Sequence, residues 1–289
     1  MHTRDREKED HRKLNVCVMG LGNIGLPVAC HISKFYPVVG YDIKDAATIN
    51  ALLKGVQASI TLEPADIYVI AVNTYFRNNA PDMSAVDSCC NKISKLNPNS
   101  LVCFESTLTV GTSKQMAKKY KLKYVAVCPH RWWQNDQVNH GVVQPRVLGT
   151  LNPESKQKAT QFYDNLQIPI HQVESTELAE ASKIVENSDY YLRIAYAEEL
   201  KLICDKNGLD FNQLREAVNT KWNMNLPEAI NGIGGECLPK DIQFLQCLEP
   251  SNILLKAAVE LDECYRNNLN DLNVILVSQR TKKRLNGNG

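Results

Sequence analysis

No stretch of this 289-residue chain is apolar for long enough to span a bilayer, and no secretory-type leader opens it. Net charge is nearly absent: 33 Lys and Arg against 32 Asp and Glu leave +1. A balance so close to zero gives no support to a nucleic acid or an anionic membrane as partner. Paired cysteine motifs are missing too. Ten cysteines stand at 17, 30, 89, 90, 103, 128, 204, 237, 247 and 264, with no CxxC pair and no His/Cys cluster. That spacing excludes a disulfide framework and a metal site of the familiar kinds. Several lie in apolar runs, as Cys17 does in Leu14 to Met19, where a thiol behaves as a small core hydrophobe. The expectation is a cytoplasmic protein in a reducing compartment, with no membrane partner, no nucleic-acid partner and no metal. Internal repeats and low-complexity tracts are also lacking, apart from the closing Asn-Gly-Asn-Gly.

What is present is alternation. A charged, aperiodic lead-in over residues 1–13 reads as flexible. Short apolar runs then alternate with helical stretches: Leu14 to Met19, Pro37 to Asp42, Ala65 to Val72, Ser100 to Glu105, Tyr124 to Val127, Arg146 to Gly149 and Pro169 to Val173. Helical patterns cover Leu26 to Phe35 and Ser84 to Leu96. This rhythm predicts an α/β fold, a Rossmann-type doubly wound parallel sheet covered on both faces, over 14–173. The segment between Asp42 and Ala65 is short, so a peripheral strand or helix is expected to be missing there. From Ser175 the texture turns helical, with one long pattern over Glu177 to Lys206 stopped by Asn207-Gly208. Further helical stretches run over Phe211 to Val218 and from Ser251 to about Lys283. Residues 174–289 are therefore read as an all-helical central and dimerisation domain.

Two glycine-rich stretches carry chemistry. Gly20, Gly22 and Gly25, with Asn23 and Ile24 between them, follow a strand and open a helix. In that context the first glycine makes a turn, the second lets a pyrophosphate approach the backbone, and the third packs helix on sheet. Asp42 closes the next strand, where a carboxylate would meet ribose hydroxyls and repel a 2′-phosphate, which favours NAD over NADP. The second stretch, Gly232 to Asp241, places Cys237 just after a glycine turn and Asp241 four residues on. A thiol so placed can serve as a nucleophile. A hydride acceptor combined with a nucleophilic thiol points to oxidation through a covalent sulfur intermediate.

With these residues in view the chain resembles the nucleotide-sugar 6-dehydrogenases, the UDP-glucose and UDP-N-acetylmannosamine dehydrogenase family. The resemblance runs in order through Gly20 to Pro27, Glu105-Ser106-Thr107, Cys128-Pro129-His130-Arg131, Arg146 to Gly149, Glu177 to Asn187 and the Gly232 to Asp241 loop. It implies a four-electron oxidation of a nucleotide-sugar or sugar-like alcohol to a carboxylate, with two NAD consumed and Cys237 as nucleophile. Lys183 and Asn187, four apart on one helix face, would stabilise an oxyanion. Asp241 would position Lys183 or a water, and Thr107 would hold a water. The turn Val72-Asn73-Thr74-Tyr75 matches a family Val-Pro-Thr-Pro, which implies cofactor contacts from Val72, Thr74 and Thr107.

Three departures qualify the carry-over. His130 stands where the family has a glutamate, and a histidine there would take over as the general base of thioester cleavage. The two lost prolines imply a less rigid Val72 to Tyr75 turn. The family carries a second dinucleotide-like domain beyond the long central helix, and this sequence stops soon after that helix: it is either cut before that domain or a naturally short relative, and only in the second case is UDP recognition poorly supported. Two other readings stand beside the first: a two-electron β-hydroxyacid-type dehydrogenase using Lys183 and Asn187 without thiol chemistry, and a non-catalytic NAD-binding relative. Apolar Ile253, Leu254, Leu255, Ala258, Val259 and Leu261 share a helical stripe. Left exposed in a monomer, that stripe predicts a homodimer.

Overall fold

The structure, a computed structural model, describes residues 14–133 and 136–285, with side-chain surroundings through 269. The lead-in over 1–13, Gln134 and the closing Asn-Gly-Asn-Gly lie outside the described residues. The chain divides into two compact units between Ser182 and Lys183, inside a helix and later than the change of texture near residue 173.

The first unit is built on a sheet. Its strands are β1 (Val16–Met19), β2 (Val38–Tyr41), β3 (Gln57–Ser59), β4 (Ile67–Ile70), β7 (Leu101–Phe104), β8 (Tyr124–Val127), β9 (Arg146–Thr150) and β10 (Ile170–Gln172). A separate hairpin pairs β5 (Tyr75–Arg77) with β6 (Ala80–Asp82). The helices are α1 (Gly25–Ile32), α2 (Asp45–Leu53), α3 (Ser84–Leu96), α4 (Thr112–Tyr120) and α5 (Pro153–Asn165). Six strands run parallel in the order β3-β2-β1-β4-β7-β8, so the strand order reverses between β1 and β4. Such a switch point opens a crevice at the carboxyl ends of the strands, where ligands of these sheets bind.

Period-two alternation explains the two covered faces. Val16 and Val18 of β1 enter one buried cluster with Val28, Ile32 and Phe162, while Cys17 and Met19 enter another with Tyr68, Ile93 and Met116. Each such side chain contributes roughly 1.5–3 kcal/mol on burial.

Two expectations are corrected. The sheet is not parallel throughout: β9 runs antiparallel to β8, with Val127 opposite Gly149. Among the described residues of the chain between them, 128–145, there is no crossover helix, and only a crossover can return a strand in parallel. Nor is the segment after Asp42 missing an element, since both α2 and β3 fit inside it.

The long helix α6 (Thr176–Asn207) begins in this unit. Ser175 Oγ accepts from the Leu178 N–H, and buried Glu180 accepts from the Gly111 and Ser113 N–H groups at the start of α4 (2.6 and 2.8 Å). From Lys183 onward the second unit comprises the rest of α6, α7 (Phe211–Asn219), α8 (Cys237–Gln246) and α9 (Leu254–Leu285). Two small apolar clusters hold it, one around Tyr191, Ala195, Ile233, Ile242 and Ala258, the other around Ala197, Cys204, Phe211 and Leu226. Among the described residues no helix is long and apolar enough to cross a membrane.

Candidate active site

The turn after β1 is shaped by close approach. A Cβ on Gly25 would lie 1.7 Å from the Gly20 carbonyl oxygen, so no other residue fits, whereas one on Gly22 would meet nothing within 4 Å. The first position therefore closes the turn and the second leaves open space beside it. No side chain caps α1 at Ile24 and its first turn holds no acid, so the N–H groups around Asn23, Ile24 and Gly25 and the positive end of the helix suit an anion. Asp42 lies at the end of β2 and braces this turn: its Oδ2 accepts from the Leu21 N–H (2.8 Å) and its Oδ1 from the Lys44 N–H (2.9 Å). Open space, free helix end and neighbouring carboxylate fit the pyrophosphate and ribose of a dinucleotide.

The loops after β4 and β7 are tied together. The Ser106 hydroxyl donates to the Val72 carbonyl (2.6 Å) and the Thr74 hydroxyl to the Thr107 carbonyl (2.8 Å). The Val72 to Tyr75 turn leads into the hairpin that begins at Tyr75. Asn78 and Asn79, both with positive φ, turn the chain between β5 and β6, and Arg77 pairs with Asp82 (3.8 Å).

In the second unit Cys237 is solvent-exposed at the first position of α8, whose N-cap, Glu236, makes no side-chain cap. A helix N-terminus favours thiolate. Crowding by surrounding protein nevertheless pushes the thiol pKa up, the Asp241 carboxylate adds to this, and Lys240 and Lys183 pull it down. The resting group is a thiol. Beneath it runs a polar chain: Lys183 Nζ donates to Asn187 Oδ1 (3.3 Å), Asn187 Nδ2 donates to Asp241 Oδ2 (2.5 Å), and Lys240 Nζ pairs with Asp241 Oδ1. Asp241 is fully buried, and a buried carboxylate requires such partners. The structure therefore brings Lys183, Asn187, Asp241 and Cys237 together, with Asp241 reaching Lys183 through Asn187.

His130 is placed differently. It is buried in the first unit, Nδ1 accepts from the Trp132 N–H (2.8 Å), and Nε2 lies 2.9 Å from Arg146 Nη2. Arg146 is itself fully buried, with Nη1 2.9 Å from Glu105. Burial, the largest single influence, works against its charge, but the Glu105 carboxylate together with Cys128 and Tyr163 holds its pKa above the ordinary value. Both nitrogens of His130 lie against protein groups, Nδ1 against the Trp132 N–H and Nε2 against the Arg146 guanidinium. Here the histidine braces a buried ion pair, a packing that the single-residue comparison with glutamate gave no means to foresee.

A family model described as the UDP-glucose/GDP-mannose dehydrogenase NAD-binding domain matches residues 52–167, and one for that family's central domain matches 177–262. The chain belongs to this family. Membership makes it an NAD-dependent oxidoreductase acting on CH–OH groups. The "NDP-N-acetyl-D-galactosaminuronic acid dehydrogenase" of Ralstonia nicotianae is 30% identical over 86% of this chain and 68% of that relative. A UDP-N-acetyl-D-mannosamine dehydrogenase of Campylobacter jejuni is 28% identical over 93% of this chain and 74% of the relative. The solved UDP-D-ManNAc dehydrogenase of Pyrococcus horikoshii superposes with a TM-score of 0.84 at 25% identity, covering 93% of this chain and 72% of that one.

Several residues of this family member escaped the sequence reading. Lys240 beside Asp241 was visible as a neighbour, but its pairing was not. Asp262 and Arg266 of α9 were not singled out; they form an ion pair in which Asp262 is buried. The α9 apolar stripe also differs from expectation. Ala258 is buried and Leu255, Val259 and Leu261 pack on the helical core of their own unit, leaving Ile253 and Leu254 exposed at the start. The missing signal was the Gly232–Ile233 segment, which folds back to cover that stripe.

Proposed function

We propose that this chain oxidises the primary alcohol of a nucleotide sugar to the carboxylate by way of a thioester on Cys237. The observation that carries the reading is the exposed Cys237 thiol at the start of α8, over the Lys183–Asn187–Asp241–Lys240 chain. The nucleotide-sugar substrates in the names of the relatives support the substrate class. Two hydrides leave the same carbon in succession, which is the chemistry that bound NAD supplies.

As the alcohol becomes an aldehyde, the Lys183 ammonium and Asn187 amide stabilise charge on its oxygen. Cys237 Sγ then bonds to the aldehyde carbon, and the thiol proton passes to that oxygen to give a thiohemiacetal. Because the resting thiol is protonated, this proton transfer is part of the step. Loss of the second hydride from the carbon, with the hydroxyl proton released to solvent, leaves a thioester. Water, oriented by the Asp241–Lys183 chain, adds to that carbon. The C–S bond breaks, the sulfur recovers a proton and the carboxylate departs. Gly20, Gly22, Asn23, Ile24, Gly25, Asp42, Val72 and Thr74 serve the cofactor in this reading.

The deciding experiment is NADH yield per alcohol across a panel of UDP-sugars, with and without Cys237→Ser. Two NADH per alcohol, lost in the variant, is the expected result. Full yield from Cys237→Ser removes the thiol route and favours two-electron chemistry. NAD binding with no NADH from any UDP-sugar removes the substrate class.

Assembly and location belong to the same proposal. Val185, Tyr196 and Ile203 of α6 share one helix face and are each about half exposed, which supports a homodimer. A monomeric mass by sedimentation at micromolar protein would contradict it. Ten cysteines, none in a disulfide, suit a reducing cytoplasm.

A further inference from the structure

The stretch that delivers Cys237 is poorly held by its own residues. Cβ atoms built on Gly234 and Gly235 would meet nothing within 4 Å, so no neighbour fills the side-chain space at these two glycines, whose backbone is conformationally permissive. Downstream, α8 is anchored by buried Ile242 and Phe244. Upstream, the last anchored residue before the thiol is Ile233, whose side chain is 1% exposed.

Ile233 is held from both sides of its backbone by one helix. Its N–H donates to Asp262 Oδ1 (2.7 Å), and its carbonyl accepts from Arg266 Nη2. Arg266 Nε closes the loop by donating to Asp262 (3.0 Å to each oxygen), and the Tyr191 hydroxyl donates to Asp262 Oδ2 (3.2 Å). Asp262 is 4% exposed, and its buried charge is balanced by these donors. The preceding residue fits around the same pair. Gly232 has φ +81°, and a Cβ there would stand 2.6 Å from Arg266 Cγ and 3.1 Å from Asp262 Oδ1.

We propose that Asp262 and Arg266 are positioning residues for the Cys237 nucleophile, clamping the Gly232–Ile233 backbone so that the two loose glycines deliver the thiol to the start of α8. Neither touches the reacting atoms. The inference deepens the thioester reading and rests on it for its catalytic consequence, but the clamp has a consequence of its own for thiol reactivity.

The test uses the full chain and initial rates of alkylation by iodoacetamide, mapped by peptide mass. Cys247, exposed at the other end of α8, serves as internal reference, and buried Cys204 reports unfolding. In Arg266→Ala the Cys237-to-Cys247 rate ratio rises on the order of tenfold, and kcat falls about 10- to 100-fold with KM for NAD unchanged, as expected for a misplaced nucleophile. Arg266→Lys, which keeps a donor for the Ile233 carbonyl, lies between. A ratio and a kcat both within about twofold of wild type overturn the clamp. Should Arg266→Ala expose Cys204, Asp262→Asn decides: it keeps an acceptor for the Ile233 N–H but loses the charge that holds Arg266, so an unchanged ratio there overturns the proposal. If the wild type yields no NADH from any UDP-sugar, the oxidation reading fails while the alkylation ratio still decides the clamp.

Discussion

Two glycine turns in this chain lead into helices without side-chain caps, and they use the freed helix ends in opposite ways. The Gly20–Gly25 turn is closed by its own backbone, with the Gly20 carbonyl pressed against Gly25, and leaves open space at Gly22. Its end is offered to a ligand from outside. The Gly232–Gly235 turn is held instead by Asp262 and Arg266 from α9, and the helix end it feeds carries a thiol of the chain itself. A turn made mainly by local sterics needs the right spacing of glycines and, here, the brace from Asp42. A turn held by a distant helix needs the whole unit to be folded.

The largest effect that would sharpen this contrast is Gly25→Ala. An added methyl 1.7 Å from a carbonyl oxygen cannot be absorbed, so thermal melts should show loss of several kcal/mol, roughly the range of severe overpacking or backbone strain, and NAD binding should vanish. Next comes Cys237→Ser, which leaves the fold intact and lowers carboxylate formation by about 10³-fold or more, read as product yield per NAD reduced. Gly22→Ala separates ligand from fold: melting should stay within about 1 °C of wild type while the Kd for NAD, by titration calorimetry, rises about tenfold or more. A destabilised Gly22→Ala protein would break the claim that this position faces open space.

Smaller effects concern charge. Lys183 favours the Cys237 thiolate, so Lys183→Met moves the pH midpoint of Cys237 alkylation further upward. An unchanged midpoint would detach Lys183 from the thiol. The smallest effect lies behind the second turn, at Glu198. Its carboxyl is fully buried, neither oxygen has a hydrogen-bond partner, and burial followed by Asp262 pushes its pKa up to about 8. The folded state thus keeps a proton that the unfolded chain, with a pKa of ~4.3, has released. Stability from this group is full below the unfolded pKa and is lost as pH rises to about 8. Glu198→Gln should flatten that slope and raise the Tm at pH 8 by about 3–6 °C, while a wild-type slope in the variant would refute it.

Much of the first unit was legible because its signals are local. Ser84–Leu96 and Tyr124–Val127 appear with the bounds the apolar pattern predicts, and the glycine turn lies between β1 and α1. The β5–β6 hairpin was missed because its signal, Asn78-Asn79, is weaker than an Asn-Gly pair. The reversal of β9 was missed because strand direction is set by what connects two strands rather than by the strands themselves. In the candidate site, Lys183 and Asn187 could be paired by helical spacing alone, and Cys237 stood out by its glycines. The surroundings of His130 could not be read, because Arg146 at the start of β9 and Glu105 just after β7 are distant in sequence.

By itself the sequence determined the alternating sheet, the dinucleotide turn and the candidate nucleophile, each encoded over a few neighbouring residues where sterics and periodicity act directly. Only the tertiary structure decided which charges are buried and with whom: Asp241 under the thiol, Arg146 against Glu105 and His130, and Asp262 with Arg266 around Ile233. Burial raises the cost of an unpaired charge and strengthens a paired one, and burial is a property of packed elements that no single segment contains.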